Sequence, residues 1–140
     1  MPSLSAAGGW AAVAAIPLAA VLGAVLRRAT FARLALRMRP HYLLGYGALA
    51  IAVAHVVTAG RSMGSADATG IWIGSFALLV LILQAFVGAS LQAPGAYRAV
   101  LRRWHAVAFW SALALALAHA ALDAPYLAGM LADMAAVRAG

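Results

Sequence analysis

Four runs of this chain, residues 10–26, 41–60, 71–92 and 104–122, contain no Asp, Glu, Lys or Arg. Each is close to the roughly 20 apolar residues needed to cross the hydrocarbon core of a bilayer. In lipid a segment must satisfy its own backbone hydrogen bonds, which a helix does and an isolated strand does not. The expectation is an all-α fold, a four-helix transmembrane bundle that makes residues 1–140 a single integral membrane domain. Composition closes the alternative of a water-soluble bundle. Hydrophobic residues make up 66% of the chain and charged residues 9%, against about 25% charged in a soluble domain. A soluble domain of this size hides only about two-thirds of its surface.

The charges fall between the runs. Arg27, Arg28, Arg33, Arg37 and Arg39 lie between the first and second, and Arg98, Arg102 and Arg103 between the third and fourth. The other connection holds only Arg61 and Asp67, and the tail only Asp123, Asp133 and Arg138. The positive-inside rule places the two arginine-rich connections in the cytoplasm and both termini outside. Orientation therefore accounts for the net charge of +7, and no nucleic-acid partner is needed. Arg33 and Arg37 share a face, which suggests a short amphipathic surface helix over about 28–38. A second short surface helix is expected over about 124–137, with Asp123 as cap and Pro125 in its first turn. The start, MPSLSAAGGW, lacks the basic flank of a secretory signal, so the first run reads as a retained span. Pro17 should kink it, as membrane helices tolerate.

Only four histidines occur, and they come as two pairs with one spacing: His41 and His55, then His105 and His119. An offset of 64 residues superposes the pairs and also carries Arg39 onto Arg103, in the manner of a parallel repeat about the membrane normal. Fourteen residues at about 100° each end about 40° short of four full turns, so both rings of a pair share a helix face. They stand about 21 Å apart along the axis, within a hydrocarbon core of about 30 Å. The second and fourth spans run the same way, so His41 levels with His105 and His55 with His119. A second pair placed at random on a span would repeat the spacing about once in 20.

Buried ionisable side chains in a span are costly, and function is the default reading of them. Zinc wants three or four protein ligands, and the spans offer no Asp, Glu or Cys beside the histidines. Haem needs only one or two axial ligands and is large and apolar. Two histidines on one iron would hold their helices wider apart than the 8–10 Å of direct packing, hence diagonally in the bundle. Gly45, Gly47, Ala48, Ala52, Ala112 and Ala116 leave room for a flat macrocycle. Arg37, Arg39, Arg102 and Arg103 near the cytoplasmic level, and Arg61 beyond His55, are candidate partners for anionic propionates. The absence of Cys excludes covalent CxxCH attachment, so two haems held without thioether bonds are expected. Trp10, Trp72, Trp104 and Tyr42 suit an interfacial belt.

Two His-x13-His motifs on the second and fourth spans resemble the ferric-reductase-like transmembrane family and the wider two-haem b-type cytochromes. That resemblance covers about residues 10–122 and rests on the four histidines. It implies an inner haem held by His41 and His105 and an outer haem held by His55 and His119. The cytochrome b bundle of quinol-oxidising complexes is similar in motif, but its histidine helices run in the opposite sense to the orientation inferred here. Flavin and nicotinamide domains of full reductases have no counterpart in this chain.

Three functions remain open on these residues. The first is a transmembrane electron conduit in a bacterial inner membrane, working as a subunit of a hetero-oligomeric complex with redox partner proteins on one or both sides. A quinol-linked version would use Gln84, Tyr42 and Tyr46 beside one haem. The third is a haem-free anchor whose histidines only bond between helices.

Overall fold

A computed structural model describes residues 4–29, 36, 38–59, 68–93 and 95–139, with side chains from Ala7 onward and, beyond Leu122, at Gly129 alone. Four helices make up the described chain: α1 (Leu4–Arg28), α2 (Arg39–Ala59), α3 (Ala68–Ser90) and α4 (Arg98–Ala139). Each contains a segment long and apolar enough to cross a membrane: Ala7–Arg28, Arg39–Ala59, Ala68–Ser90 and Arg98–Leu122. The four-helix, all-α expectation is met. The first, second and fourth spans take in arginines at an end, Arg27 and Arg28, Arg39, and Arg98, Arg102 and Arg103, because a helix takes an arginine at its end without placing it in lipid. α1 passes through Pro17 without a break.

The helices pack as two hairpins, α1 along α2 and α3 along α4, with lighter contact between α2 and α3 and between α1 and α4. Among the described residues no close backbone approach joins α2 to α4 or α1 to α3. Those two pairs are therefore the diagonals of the bundle, and both histidine helices lie on one diagonal, as the sequence led us to expect.

Little of the molecule is buried. Ala12, Ala15, Ile16, Ala19, Ala48, Leu81, Ala108 and Ala112 face inward, whereas Leu43, Val57, Trp72, Phe76, Phe86, Val107 and Trp110 are exposed. A monomer in water rarely shows so much contiguous apolar surface; lipid is its natural complement. The most enclosed residues are Ala48, 2% exposed, and Ala112, 1% exposed. Each sits seven residues after the first histidine of its helix, so the inward faces read His41–Ala48–His55 and His105–Ala112–His119. Small side chains therefore face the interior midway between the two histidine levels.

Two expectations from sequence end differently. Most of the surface helix expected over 28–38, with Arg37, lies outside the described residues, as does Arg61. The helix expected over 124–137 is helical but not separate: α4 continues unbroken from Arg98 to Ala139, 42 residues. Its Ala, Leu and Met content favours helix on both sides of the Asp-Ala-Pro step. One proline removes a donor without obliging the helix to end, so Asp123 does not begin a new helix.

Candidate functional site

Within each hairpin the histidines are positioned by glycines. A Cβ added at Gly23 on α1 would meet His41 Nδ1 at 2.8 Å. One at Gly9 would lie 3.1 Å from His55 Cε1. On α3 the same holds for Gly74 against His119, at 3.1 Å, and Gly88 against His105, at 3.2 Å. Each imidazole thus lies against a neighbouring backbone: a side chain at Gly23 would force the ring to move, and one at Gly9, Gly74 or Gly88 would press it back by a few tenths of an ångström. These contacts make α1 antiparallel to α2 and α3 antiparallel to α4. They also place Gly23, His41, His105 and Gly88 at one level, and Gly9, His55, His119 and Gly74 at the other.

Close approach to a backbone brings its carbonyls within reach. His41 Nδ1 bonds to the Ala19 carbonyl at 2.8 Å, and His119 Nδ1 to the Gly70 carbonyl at 3.0 Å. A carbonyl has no proton to give, so Nδ1 carries the hydrogen in both rings. A neutral imidazole so tied keeps its lone pair on Nε2, the arrangement that orients a metal-ligating histidine. His105 is the exception. Its Nδ1 is buried and unbonded, as is Gln84 Oε1.

Across the diagonal the rings meet in pairs. His41 and His105 have centroids 6.3 Å apart with planes at 77°; His55 and His119 are 6.1 Å apart at 68°. A metal–imidazole bond is about 2.0–2.1 Å, and the nitrogen stands about 1 Å out from the ring centre, so two rings trans on one metal have centroids about 6 Å apart. Both pairs stand at that separation. Direct hydrogen bonding between two imidazoles is the competing use of such a pair. It leaves the wide diagonal and the matched carbonyl partners without a purpose. Among the described residues no three of His, Cys, Asp or Glu gather at one point, so a cation site built wholly from protein ligands has no donor set here.

A cavity of about 330 Å³ opens around the first pair, lined by His41 and His105 with Tyr42, Tyr46, Gly45 and Gln84. That is within the range of small-molecule and cofactor pockets. Nothing stands within 4 Å of where a Gly45 Cβ would be, so the missing side chain leaves open space. Tyr46 accepts a long hydrogen bond at its hydroxyl from Gln92 Nε2, 3.5 Å. Arg27, Arg98 and Arg102 also line this cavity. Arg98 also donates to the Leu91 carbonyl at 3.0 Å.

The arginines expected at this level divide. Arg102 lines the cavity, whereas Arg39 and Arg103 are exposed and take no part in its lining. Arg37 and Arg61 lie outside the described residues. The reason is rotation about the helix axis: Arg39 and Arg103 each lie two residues before a histidine, about 200° around from it. Sequence reasoning missed Arg27 and Arg98, which sit at span ends, and missed the pairing of Gly9 and Gly23. The signal was present, since Gly9 to Gly23 and Gly74 to Gly88 are both steps of 14, the histidine step.

No protein-family model matches this chain, and comparison with curated proteins and with solved structures finds no match.

Proposed function

We propose that this chain is a membrane-embedded two-haem b-type cytochrome that carries electrons across the bilayer between redox partners, as a subunit of a larger complex. The observation that carries the reading is the two level pairs of imidazoles, 6.3 and 6.1 Å apart, on diagonally opposed helices. His41 and His105 would hold the inner haem, His55 and His119 the outer one. Haem bound there supplies one-electron chemistry, alternating between ferric and ferrous iron.

The chain's own residues do the rest. Gly9, Gly23, Gly74 and Gly88 seat the rings, and the Ala19 and Gly70 carbonyls hold two of them in the Nδ1-protonated tautomer. Ala48 and Ala112 present small apolar side chains to the interior between the levels. Arg27, Arg98 and Arg102 offer positive charge to an anionic group at the inner level. The matched pairs and the sense of the histidine helices relative to the arginine-rich connections agree with the resemblance to the ferric-reductase-like family. The same arginine asymmetry supports both termini outside, and a bacterial inner membrane is the setting proposed with it.

One observation favours a quinol-linked version: Gln84, Tyr42 and Tyr46 line a single cavity at the inner level. Quinol-driven haem reduction by the isolated protein distinguishes it from a simple conduit. The main test is a reduced-minus-oxidised absorption spectrum of detergent-purified protein with pyridine haemochrome quantification. Two b-type haems per chain are expected. A colourless, folded protein refutes the proposal in favour of a haem-free anchor.

A further inference from the structure

The two hairpins repeat each other closely enough for a departure to stand out. Gly9 and Gly23 on α1 correspond to Gly74 and Gly88 on α3 at an offset of 65 residues. The carbonyl that takes a histidine Nδ1 proton lies four residues before the glycine: Ala19 before Gly23, Gly70 before Gly74. By that rule His105, seated on Gly88, belongs to residue 84. There the repeat replaces the alanine found at position 19 with Gln84, set within the apolar run ALLVLILQAFV. A polar side chain deep in a span is costly and reads as functional by default.

The geometry at His105 also departs. The Gln84 main-chain carbonyl acts on the ring as the rule requires, but the contact misses the geometry of the bonds at His41 and His119, so Nδ1 has no well-formed partner. The unbonded His105 Nδ1 and the unbonded Gln84 Oε1 belong to residues that line the same cavity. The ring nitrogen can donate once it carries the proton, and the amide oxygen can only accept. Leaving both buried and unpaired is the unfavourable arrangement.

We propose that the Gln84 side-chain oxygen accepts the Nδ1 proton of His105, making Gln84 a positioning residue for one ligand of the inner pair; this rests on the two-haem reading above. The inner site is then built asymmetrically. His41 is held by a main-chain carbonyl fixed in its helix, and His105 by an amide on a rotatable side chain. A hydrogen bond accepted from Nδ1–H makes the imidazole a more basic ligand, which favours ferric over ferrous iron. Gln84 therefore lowers the potential of the inner haem and leaves the outer one alone.

The test is a redox titration of the purified full-length protein, with low-temperature EPR of the oxidised form. Two variants are compared with wild type: Gln84→Leu, close in volume, and Gln84→Ala, which copies the residue at position 19. Both leave the main-chain carbonyl in place. Removing the side-chain acceptor should change the ferric–ferrous equilibrium of one haem about threefold to tenfold, or about 30–60 mV upward for a one-electron couple. One of the two low-spin ferric EPR signals should move with it. That shift in either variant supports the proposal. Two haems with wild-type midpoints and signals in both variants overturn it while leaving the two-haem reading intact. Wild-type protein without haem overturns both.

Discussion

Replacing Gly23 with Ala gives the sharpest perturbation of the site. The new methyl would stand 2.8 Å from His41 Nδ1, 3.1 Å from Cε1 and 3.3 Å from Cγ, where ordinary contact begins at 3.4 Å. The ring must retreat by about 0.6 Å to reach ordinary contact. That displacement stretches the 2.8 Å hydrogen bond to the Ala19 carbonyl and carries the ring out of register with His105. A metal–nitrogen bond tolerates only about ±0.2 Å, so the movement cannot be absorbed at a shared ligand. Overpacking of this kind costs about 1–3 kcal/mol, equivalent on the proposed function to about tenfold to hundredfold weaker retention of a haem held by His41 and His105. Gly8→Ala and Gly47→Ala are the controls. The first adds a methyl 3.8 Å from His55 Cβ, and the second meets nothing within 4 Å. Haem per chain, measured by pyridine haemochrome after extended dilution in detergent, should fall toward one for Gly23→Ala and stay at two for both controls. Two tightly held haems in Gly23→Ala would show that the glycine contact does not position the ligand, and the reasoning would fail.

Removing an imidazole should be more severe. His55→Ala should lower haem content from two to one per chain and abolish one EPR signal, and unchanged content would refute the ligand assignment. Arg27→Gln and Arg102→Gln should each weaken inner-haem retention by about tenfold or more if they meet an anionic group, since a hydrogen bond to a charged group contributes about 1.5–3 kcal/mol. Arg39→Gln and Arg103→Gln should leave retention unchanged in the same dilution assay. Ala112→Leu forces a large side chain into the most enclosed position, 1% exposed. It should destabilise the bundle by about 1–3 kcal/mol, read as a lower midpoint in a thermal aggregation assay. Orientation is open to direct test because the chain has no cysteine. With a membrane-impermeant thiol reagent on intact cells, Ala68→Cys should label and Ala96→Cys should not; the reverse pattern inverts the topology.

Much of this protein is legible without coordinates, because the bilayer imposes a length and a composition on any segment that crosses it. Residues 41–60 can be recognised as a span from the absence of charge alone. The shared face of His41 and His55 follows from helix geometry, and the levelling of His41 with His105 follows from counting crossings. A continuous α4 was not legible, since the Asp-Ala-Pro step at 123–125 is compatible both with a new helix start and with a helix that reads through. The arginine partners were half legible: proximity in sequence to a histidine selected Arg39 and Arg103, but helix rotation turns both away.

By itself the sequence determined the number of spans, their directions relative to one another and the two levels of histidine, because each depends on one helix and its solvent. Tertiary structure decided what each histidine rests on. Gly23 lies 18 residues before His41 and Gly88 lies 17 before His105, and only the register and rotation of packed helices bring them into contact. It also decided which arginines, Arg27, Arg98 and Arg102, line the inner cavity. Contacts between helices depend on how two surfaces interlock, and the period of either helix alone carries no record of that.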